Sequence, residues 1–306
     1  MTKVQITAEF NPLLALSKGE ISGILAIIVR TEGPSYRSVG AAMVFGDDDN
    51  RYGSLSSGCI EADLAIHASD VSYTKRPQQI VYGRGSPYLD IQLPCGGGLE
   101  ILLVPQPSEQ ELELLNSVER LRETVVLAVD LKTGRFTQSS LEGTVLNDTE
   151  FHFKMVPEMR FVVFGKGPEA YTFANLVHSL GNPGALVSPD LETLEKAKVE
   201  NWETRTIVHA HCPTDLGIDY RTAVVCFFHD HEWEAPILRD VLAFESFYVG
   251  CQGSLRTSNN RMLELENLGV SAEMRSLVRG PIGLIQSARN SNTLAVSVLA
   301  EILSMS

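Results

Sequence analysis

Residues 160–170 read RFVVFGKGPEA, and this stretch decides the architecture of the second half of the chain. The apolar run FVVF predicts a buried strand that ends at Gly165. Pro168 suits the first turn of a helix, where its missing N–H costs nothing. The GxGxxA spacing is typical of a turn at which backbone N–H groups and a helix N-terminus bind a phosphate. A tight strand-to-helix turn needs the same glycines without any ligand, so the sequence leaves both interpretations open.

Strands and helices alternate after this turn. Such alternation predicts βαβ units and a parallel sheet covered on both faces. The predicted strands are ALVS at 185–188, segments near Thr206 and Ala223, and FYVG at 247–250; the predicted helices are 168–180, 190–199, 232–244 and the C-terminus.

The first half of the chain mixes short strands with helices. Its predicted strands are 23–29, 40–45, 99–104 and 124–129, and its predicted helices are 59–69 and 108–122. The polar stretch 132–150 predicts a hairpin and then a linker. We therefore predict an α/β protein with an N-terminal α/β domain of mixed sheet, residues 1–150, and a parallel-sheet domain, residues 158–306.

Composition restricts the class of protein. The 306 residues are 44% hydrophobic, which is enough for two domains with their own cores. The net charge of −13 opposes binding to nucleic acid or to an anionic membrane. No apolar run approaches the ~20 residues of a membrane span, and the N-terminus lacks an export signal. Five scattered cysteines without a CxxC pair predict a reducing, cytoplasmic location.

Two cysteines adjoin glycines. Cys59 follows Gly58 within GSLSSGCIEADL, residues 53–64, and Cys95 precedes Gly96 and Gly97. A thiol at a helix N-terminus favours the thiolate, which is a ligand for soft metals. Glu61 could orient a bound group or shuttle a proton, or it could simply favour the first turn of the helix. A partly buried, structural thiol is the alternative for both cysteines.

Polar residues follow several strands of the second half. His229 and His231 lie where a ligand would bind at the edge of an open sheet, but their spacing matches no known zinc framework. Ser188 occupies the position where a dinucleotide-binding domain has a ribose-binding acid, and Asp190, after Pro189, is expected to point away from the crevice. NAD(P) is therefore not the expected cofactor. Cys251 is expected to reach the crevice.

These segments together resemble the XdhC/CoxI family, whose members are molybdenum-cofactor chaperones for xanthine dehydrogenase and related molybdenum hydroxylases. The segments that carry the resemblance are GSLSSGCIEADL at 53–64, CGG at 95–97, HDH at 229–231, YVGCQGS at 248–254, PIGL at 281–284 and LAVSVLAEIL at 294–303. The resemblance departs from the family pattern at four places. They are Ser57-Gly58 for a double glycine, Gly165-Lys166-Gly167-Pro168 for GAGH, Ser188-Pro189-Asp190 for DPR, and GSLRT at 253–257 for the basic GSRRK.

The resemblance implies a Rossmann-like C-terminal domain and an accessory protein rather than an enzyme. Such a protein binds the molybdenum cofactor, as molybdopterin or its cytidine dinucleotide form, while a cysteine desulfurase supports its sulfuration. It then inserts the cofactor into an apo molybdenum hydroxylase, and a homodimer is expected. Cys59 is the candidate contact to molybdenum. The candidate cofactor-binding residues are Gly58, Cys59, Glu61, Cys95, Gly96, Gly97, Gly165, Gly167, His229, His231, Gly253 and Ser254.

Two other functions fit the same residues. The glycine turn at Gly165 and Gly167 would suit an NAD(P)-dependent oxidoreductase, which Ser188 argues against. Alternatively, Cys59 or Cys95 could carry sulfur as a persulfide in a relay protein.

Overall fold

The computed structural model describes residues 11–56, 58, 60–86, 93–229 and 231–306, with only the backbone at position 231. The chain divides into two compact units, Met1–Pro157 and Glu158–Ser306. Within the described residues, no helix combines the length and the apolar character that crossing a bilayer requires.

The described residues of the first unit form two sheets and three helices. Its elements are α1 (Pro12–Ser17), β1 (Gly23–Glu32), β2 (Ala42–Gly46), β3 (Arg51–Gly53), α2 (Glu61–Thr74), β4 (Gln78–Gly83), β5 (Gly98–Val104), α3 (Glu109–Leu121), β6 (Val125–Asp130), β7 (Phe136–Gln138), β8 (Val145–Leu146) and β9 (Glu150–Met155). The first sheet has the order β3-β2-β1-β5-β4 and the second the order β7-β6-β9-β8.

Strand β1 is the centre of the first unit, and both of its faces are buried. Leu25, Ile27 and Val29 belong to the core that includes the second sheet. Ile24 and Ala26 belong to the core that includes α2. Burial on both faces explains why β1 is a continuous apolar run instead of an alternating one.

The strand pairs of the first unit are antiparallel throughout the described residues, where a mixed sheet was expected. The cause is local, because consecutive strands such as β1 and β2 fold back on each other and need no crossover. The polar stretch 132–150 forms β7, which pairs with β6, and β8, which pairs with β9, rather than a linker. Strand β9 pairs along the full length of β6 and runs past residue 150.

The second unit is a six-stranded sheet with helices on both faces. Its elements are β10 (Arg160–Gly165), α4 (Pro168–Ser179), β11 (Gly184–Ser188), α5 (Leu191–Lys196), β12 (Glu203–Thr206), β13 (Thr222–Phe227), α6 (His231–Val241), β14 (Tyr248–Cys251), α7 (Leu255–Asn267), α8 (Ala272–Ser276), β15 (Val278–Arg279) and α9 (Ser291–Leu303). In the part of this unit that the structure describes, all strand pairs are parallel. The predicted α/β fold class with a parallel sheet is confirmed.

The strand order β12-β11-β10-β13-β14-β15 reverses direction between β10 and β13. Val162 and Phe164 of β10 pack in one core, and Phe161 and Val163 pack in the core on the opposite face. In open sheets of this kind, ligands bind outside the carboxyl ends of the strands, at the point where the order reverses. The turn after β10 and the residues after β13 therefore meet at the expected binding edge.

Candidate functional site

In the first unit, the buried carboxylate of Glu61 holds the loop that precedes α2. Glu61 is only 5% exposed. Its Oε1 accepts hydrogen bonds from the N–H groups of Ser56 (2.8 Å) and Leu55 (3.3 Å). Its Oε2 accepts from the hydroxyl of Ser56 (2.6 Å) and the N–H of Ile60 (3.2 Å). The carboxylate thus fastens both ends of the loop around Gly58 to the first residue of the helix.

The pKa of Glu61 follows from these contacts. Burial pushes the pKa up, but the hydrogen bonds from the hydroxyl and N–H of Ser56 outweigh burial, and the pKa lies below its ordinary value. The side chain is therefore ionised at neutral pH, with both oxygens engaged by the loop. These contacts explain why an acidic residue occupies this position: it holds the loop in place. Neither a bound group nor a proton transfer is needed to explain it.

The cysteine and glycine positions differ in how they are packed. Cys59 lies outside the described residues, and Cys95 is exposed. A Cβ on Gly97 would lie 1.9 Å from the carbonyl oxygen of Pro34, so Gly97 is required by close backbone packing. Gly58 and Gly96 have positive φ values of 96° and 70°, and a Cβ on either would meet no atom of the described residues within 4 Å. The backbone at these two positions is open to an approaching ligand.

In the second unit, a cleft of about 920 Å³ opens at the turn after β10. We call it the Gly165 cleft, and its lining residues are 166–169, 189–190, 228–229 and 232–233. A Cβ on Gly165 would lie 2.7 Å from the carbonyl oxygen of Phe227, so this glycine permits β10 and β13 to pack closely. Gly167 has a φ of 88° and precedes the first residue of α4.

The backbone donors of the glycine turn are already used. The N–H of Gly167 donates to the hydroxyl of Thr193 at 2.8 Å, and the N–H of Lys166 donates to the carbonyl of Phe227 at 3.1 Å. Thr193 is 1% exposed, and its hydroxyl donates in turn to Oδ2 of Asp190 at 2.5 Å. A phosphate-binding turn would direct the Gly167 N–H at the ligand instead.

The Gly165 cleft is acidic and aromatic. Glu169, Asp190 and Glu232 line it together with Lys166 and His229. Asp190 lines the cleft, so the expectation that it points away from the crevice is wrong. Asp190 is the N-cap of α5, and its side chain accepts a hydrogen bond from the N–H of Thr193. Hydrogen bonds from the hydroxyl and N–H of Thr193 hold the pKa of Asp190 below its ordinary value, against a smaller effect of burial.

Two further contacts shape the Gly165 cleft. His229 Nε2 lies 3.6 Å from Glu169 Oε2. The rings of Phe228 and Trp233 stack with their centroids 6.1 Å apart. Position 231 begins α6, and its side chain lies outside the described residues. In the described part of the chain, no group of three or more His, Cys, Asp or Glu residues is arranged to hold a metal ion.

A second cleft, of about 790 Å³, lies at the start of α7. We call it the Ser254 cleft, and its lining residues are 252–256, 281–283, 285–288 and Leu294. Ser254 is the N-cap of α7, and its hydroxyl oxygen accepts from the N–H of Thr257 at 3.2 Å. Gly253 and Ser254 are thus placed in this cleft, separate from the cleft that Gly167 and His229 line.

A buried ion pair lies beneath the Ser254 cleft. Arg261 and Glu234 are each 1% exposed, and Arg261 Nη2 lies 2.9 Å from Glu234 Oε2. The same Nη2 donates to the backbone carbonyl of Gln252 at 2.7 Å. Among the described residues, Arg261 Nη1 and the side-chain oxygen of Gln252 are buried without a hydrogen-bond partner.

Two cysteines lie beside this ion pair. Cys226 and Cys251 are paired residues of β13 and β14, and both are 0% exposed. The expectation that Cys251 reaches the crevice is wrong, because its strand position directs it into the core instead. A hydrogen bond to Cys251 and burial raise the pKa of Cys226 well above its ordinary value. Both thiols are therefore core residues.

Sequence reasoning did not identify Thr193, Gln252, Arg261 or Glu301 as parts of these sites. Glu301 of α9 accepts from the N–H of Gly283 and from the hydroxyl of Tyr248. Of these four residues, only Arg261 has a signal in the sequence: it is a charged residue between Ser258 and Leu265 on the buried face of a polar helix.

The comparisons with known proteins agree with one another. The model of the XdhC Rossmann domain matches residues 161–302, and the model of the XdhC and CoxI family matches residues 17–83. The molybdenum cofactor insertion chaperone PaoD of Escherichia coli is 32% identical over 95% of this chain and 85% of its own length. A Bacillus subtilis protein, described as a probable xanthine dehydrogenase subunit, is 24% identical over 96% of both chains.

A solved structure supports the fold. The crystal structure of a protein from Bacillus halodurans, described as a xanthine dehydrogenase, has a TM-score of 0.77 over 96% of this chain and 94% of its own. The two sequences are only 23% identical, so this similarity supports the fold and nothing further. The Rossmann-like second half and the family resemblance predicted from the motifs are both confirmed: this chain belongs to the XdhC and CoxI family.

Proposed function

We propose that this protein is a molybdenum cofactor insertion chaperone. The observation that carries the proposal is the match to PaoD, which covers 95% of this chain at 32% identity. In this proposal the cofactor is cargo, bound and later released, and the protein itself catalyses no turnover of a substrate.

In more detail, the proposed function has three successive steps. The protein binds the cofactor in the cytoplasm as a homodimer, shields it while a cysteine desulfurase supplies sulfur, and inserts it into an apo molybdenum hydroxylase. A division between Pro157 and Glu158 would give the protein one cysteine-bearing and one Rossmann-like part. We expect no tight binding of NAD(P), because the Gly167 N–H is donated to Thr193.

The proposed contacts of the cargo lie in both units. In the first, they are Gly58, Cys59, Cys95, Gly96 and Gly97, with Glu61 bracing the loop. The exposed thiol of Cys95 and the open backbone at Gly58 and Gly96 support this assignment. In the second unit, the proposed contacts are His229, His231, Gly253 and Ser254, while Gly165 and Gly167 shape the turn through close packing and the bond to Thr193.

The test is the molybdenum and pterin content of the purified protein after co-expression with the cofactor biosynthetic enzymes. We expect stoichiometric molybdenum in the wild type and a large loss in Cys59→Ser, because serine cannot supply a thiolate. Cys212→Ala is the matched control. Burial raises the pKa of the Cys212 thiol to about 12, so it stays protonated and is no metal ligand.

The possible results of this experiment test the chaperone function and the role of Cys59 separately. Absence of molybdenum and pterin from the wild type would contradict the chaperone function. Wild-type content in Cys59→Ser would remove Cys59 from the binding site and leave the function standing. Mass spectrometry after incubation with a desulfurase and cysteine tests the sulfur step: a persulfide on Cys59 or Cys95 would instead support the sulfur-relay alternative.

A further inference from the structure

We infer that the Ser254 cleft, and not the glycine turn at Gly165, binds a phosphate group. The inference deepens the proposed function and rests on it in one respect: the phosphate would be the phosphate or pyrophosphate end of the cargo. That the cleft binds a phosphate at all follows from its own residues.

The start of α7 presents unused backbone donors to the cleft. This helix has 13 residues, and within it the first turn carries no acidic residue. The hydroxyl of Ser254 accepts the N–H of Thr257, while the N–H groups of Leu255 and Arg256 have no acceptor within the helix. The helix dipole adds a positive potential at the same place. The side chain of Arg256 is exposed and lines the cleft, so backbone donors and a cation converge.

Arg261 lies beneath the cleft, and its side chain is 99% buried. Its Nη2 lies 3.4 Å from the position of a Cβ on Gly253, and its Nη1 lies 2.8 Å from that of a Cβ on Gly280. The guanidinium therefore lies beneath Gly253, which lines the cleft, and beneath Gly280, which precedes the lining residue Pro281. Glu234 binds Nε and Nη2, whereas Nη1 has no hydrogen-bond partner in the described residues. An unused buried donor at this place is explained by a ligand that accepts it.

The opposite wall of the cleft has a fixed shape. The N–H of Gly283 donates to Glu301, and the N–H of Ile285 donates to Ser297 Oγ at 2.7 Å. These bonds tie the loop to α9, so the cleft exists before any ligand arrives. Leu255 and Ile285 flank it with 71% and 49% of their surfaces exposed. Apolar walls around a polar floor suit a ligand with an aromatic part and a phosphate end.

The Gly165 cleft lacks these properties. The N–H of Gly167 is donated to Thr193, and Pro168 contributes no N–H. Glu169 and Asp190 would face the phosphate at close range, and like charges in a partly buried site repel. Lys166 and His229 are the opposing basic groups, and His229 already lies 3.6 Å from Glu169. The glycine motif is therefore explained by packing at this turn, and the phosphate site lies two strands away.

The experiment measures binding of inorganic pyrophosphate and of CDP to the full chain by isothermal titration calorimetry. We expect both to bind the wild type, and Arg256→Gln to weaken binding about tenfold or more, since it removes one charge-assisted contact. Lys166→Gln is the matched control, because it removes the same charge from the Gly165 cleft; it should stay within about twofold of wild type. Arg256→Lys should recover part of the loss.

Each outcome bears on the site. Tighter binding of CDP than of pyrophosphate would support the site and identify a nucleotide end; equal binding would support it and identify a bare phosphate end. Failure of both probes to bind at millimolar concentration, or a loss in Lys166→Gln without one in Arg256→Gln, would overturn it. Pyrophosphate binding without any co-purified molybdenum would leave this site standing and contradict the chaperone function.

Discussion

The Gly165 cleft and the Ser254 cleft lie at the same edge of one parallel sheet, yet they differ in whether their backbone N–H groups already have acceptors. At the Gly165 cleft, the N–H of Gly167 is satisfied by Thr193, and carboxylates line the opening. At the Ser254 cleft, the first N–H groups of α7 have no intrahelical acceptor, and Arg256 lines the opening. A glycine motif provides room for an anion, but binding also requires donors that the protein has not already used.

The largest expected effect concerns the buried base of the Ser254 cleft. Arg261→Met should destabilise the second unit by about 3–5 kcal/mol, because Glu234 is left as a buried, unpaired charge. Urea unfolding followed by tryptophan fluorescence measures this unit alone, since Trp202 and Trp233 are the two tryptophans of the chain. The double variant with Glu234→Met should recover most of the stability. A single variant as stable as wild type would show that the pair does not support the cleft.

A smaller effect is expected at the Gly165 cleft. Thr193→Val keeps the volume of the side chain but removes the acceptor of the Gly167 N–H and a donor to Asp190. We expect a loss of about 1–3 kcal/mol in the same unfolding measurement, from polar groups left without partners. Thr257→Val, at the start of α7, keeps its N–H bond to Ser254 and loses only an exposed hydroxyl contact to the same side chain, so it is the matched control. Equal losses in the two variants would contradict the contrast between the clefts.

The smallest effect is a dependence of stability on pH. The pKa of Asp190 is lowered in the folded protein by Thr193, so its contribution to stability is fully present above the unfolded pKa of about 3.9. That contribution is lost as the pH falls through the lower, folded pKa. The difference in stability between wild type and Asp190→Asn should therefore shrink below about pH 4. A difference that stays constant down to pH 2 would mean that Thr193 does not hold the carboxylate.

Short apolar runs and turn residues predicted the second unit well. The FVVF run, the glycines and Pro168 lie next to each other in sequence, so local preferences determine the strand, the turn and the start of α4. The same reasoning overlooked α7, whose segment LRTSNNRMLELEN is polar over most of its surface, and predicted α5 four residues too long, as 190–199 instead of Leu191–Lys196. Few apolar contacts leave little periodic signal.

The sites were less predictable because their deciding contacts are distant in sequence. The hydroxyl that takes the Gly167 N–H lies 26 positions away, and the carboxylate that pairs with Arg261 lies 27 positions away. No spacing rule within a motif encodes such contacts. The position of Glu61 near Cys59 marks it as a candidate in the sequence. Its hydrogen bonds to Ser56 depend on how the loop folds, so the sequence alone could not predict them.

The brace at Glu61 also bears on the speed of cargo capture. A segment of small residues such as GSLSS would, in isolation, sample many backbone conformations and lose that freedom on binding. Because the carboxylate already fixes Ser56 and Ile60, much of this ordering is complete in the folded protein before the cargo arrives. Loosening the brace would then lower the fraction of molecules ready to bind, and so slow association while leaving every direct contact in place.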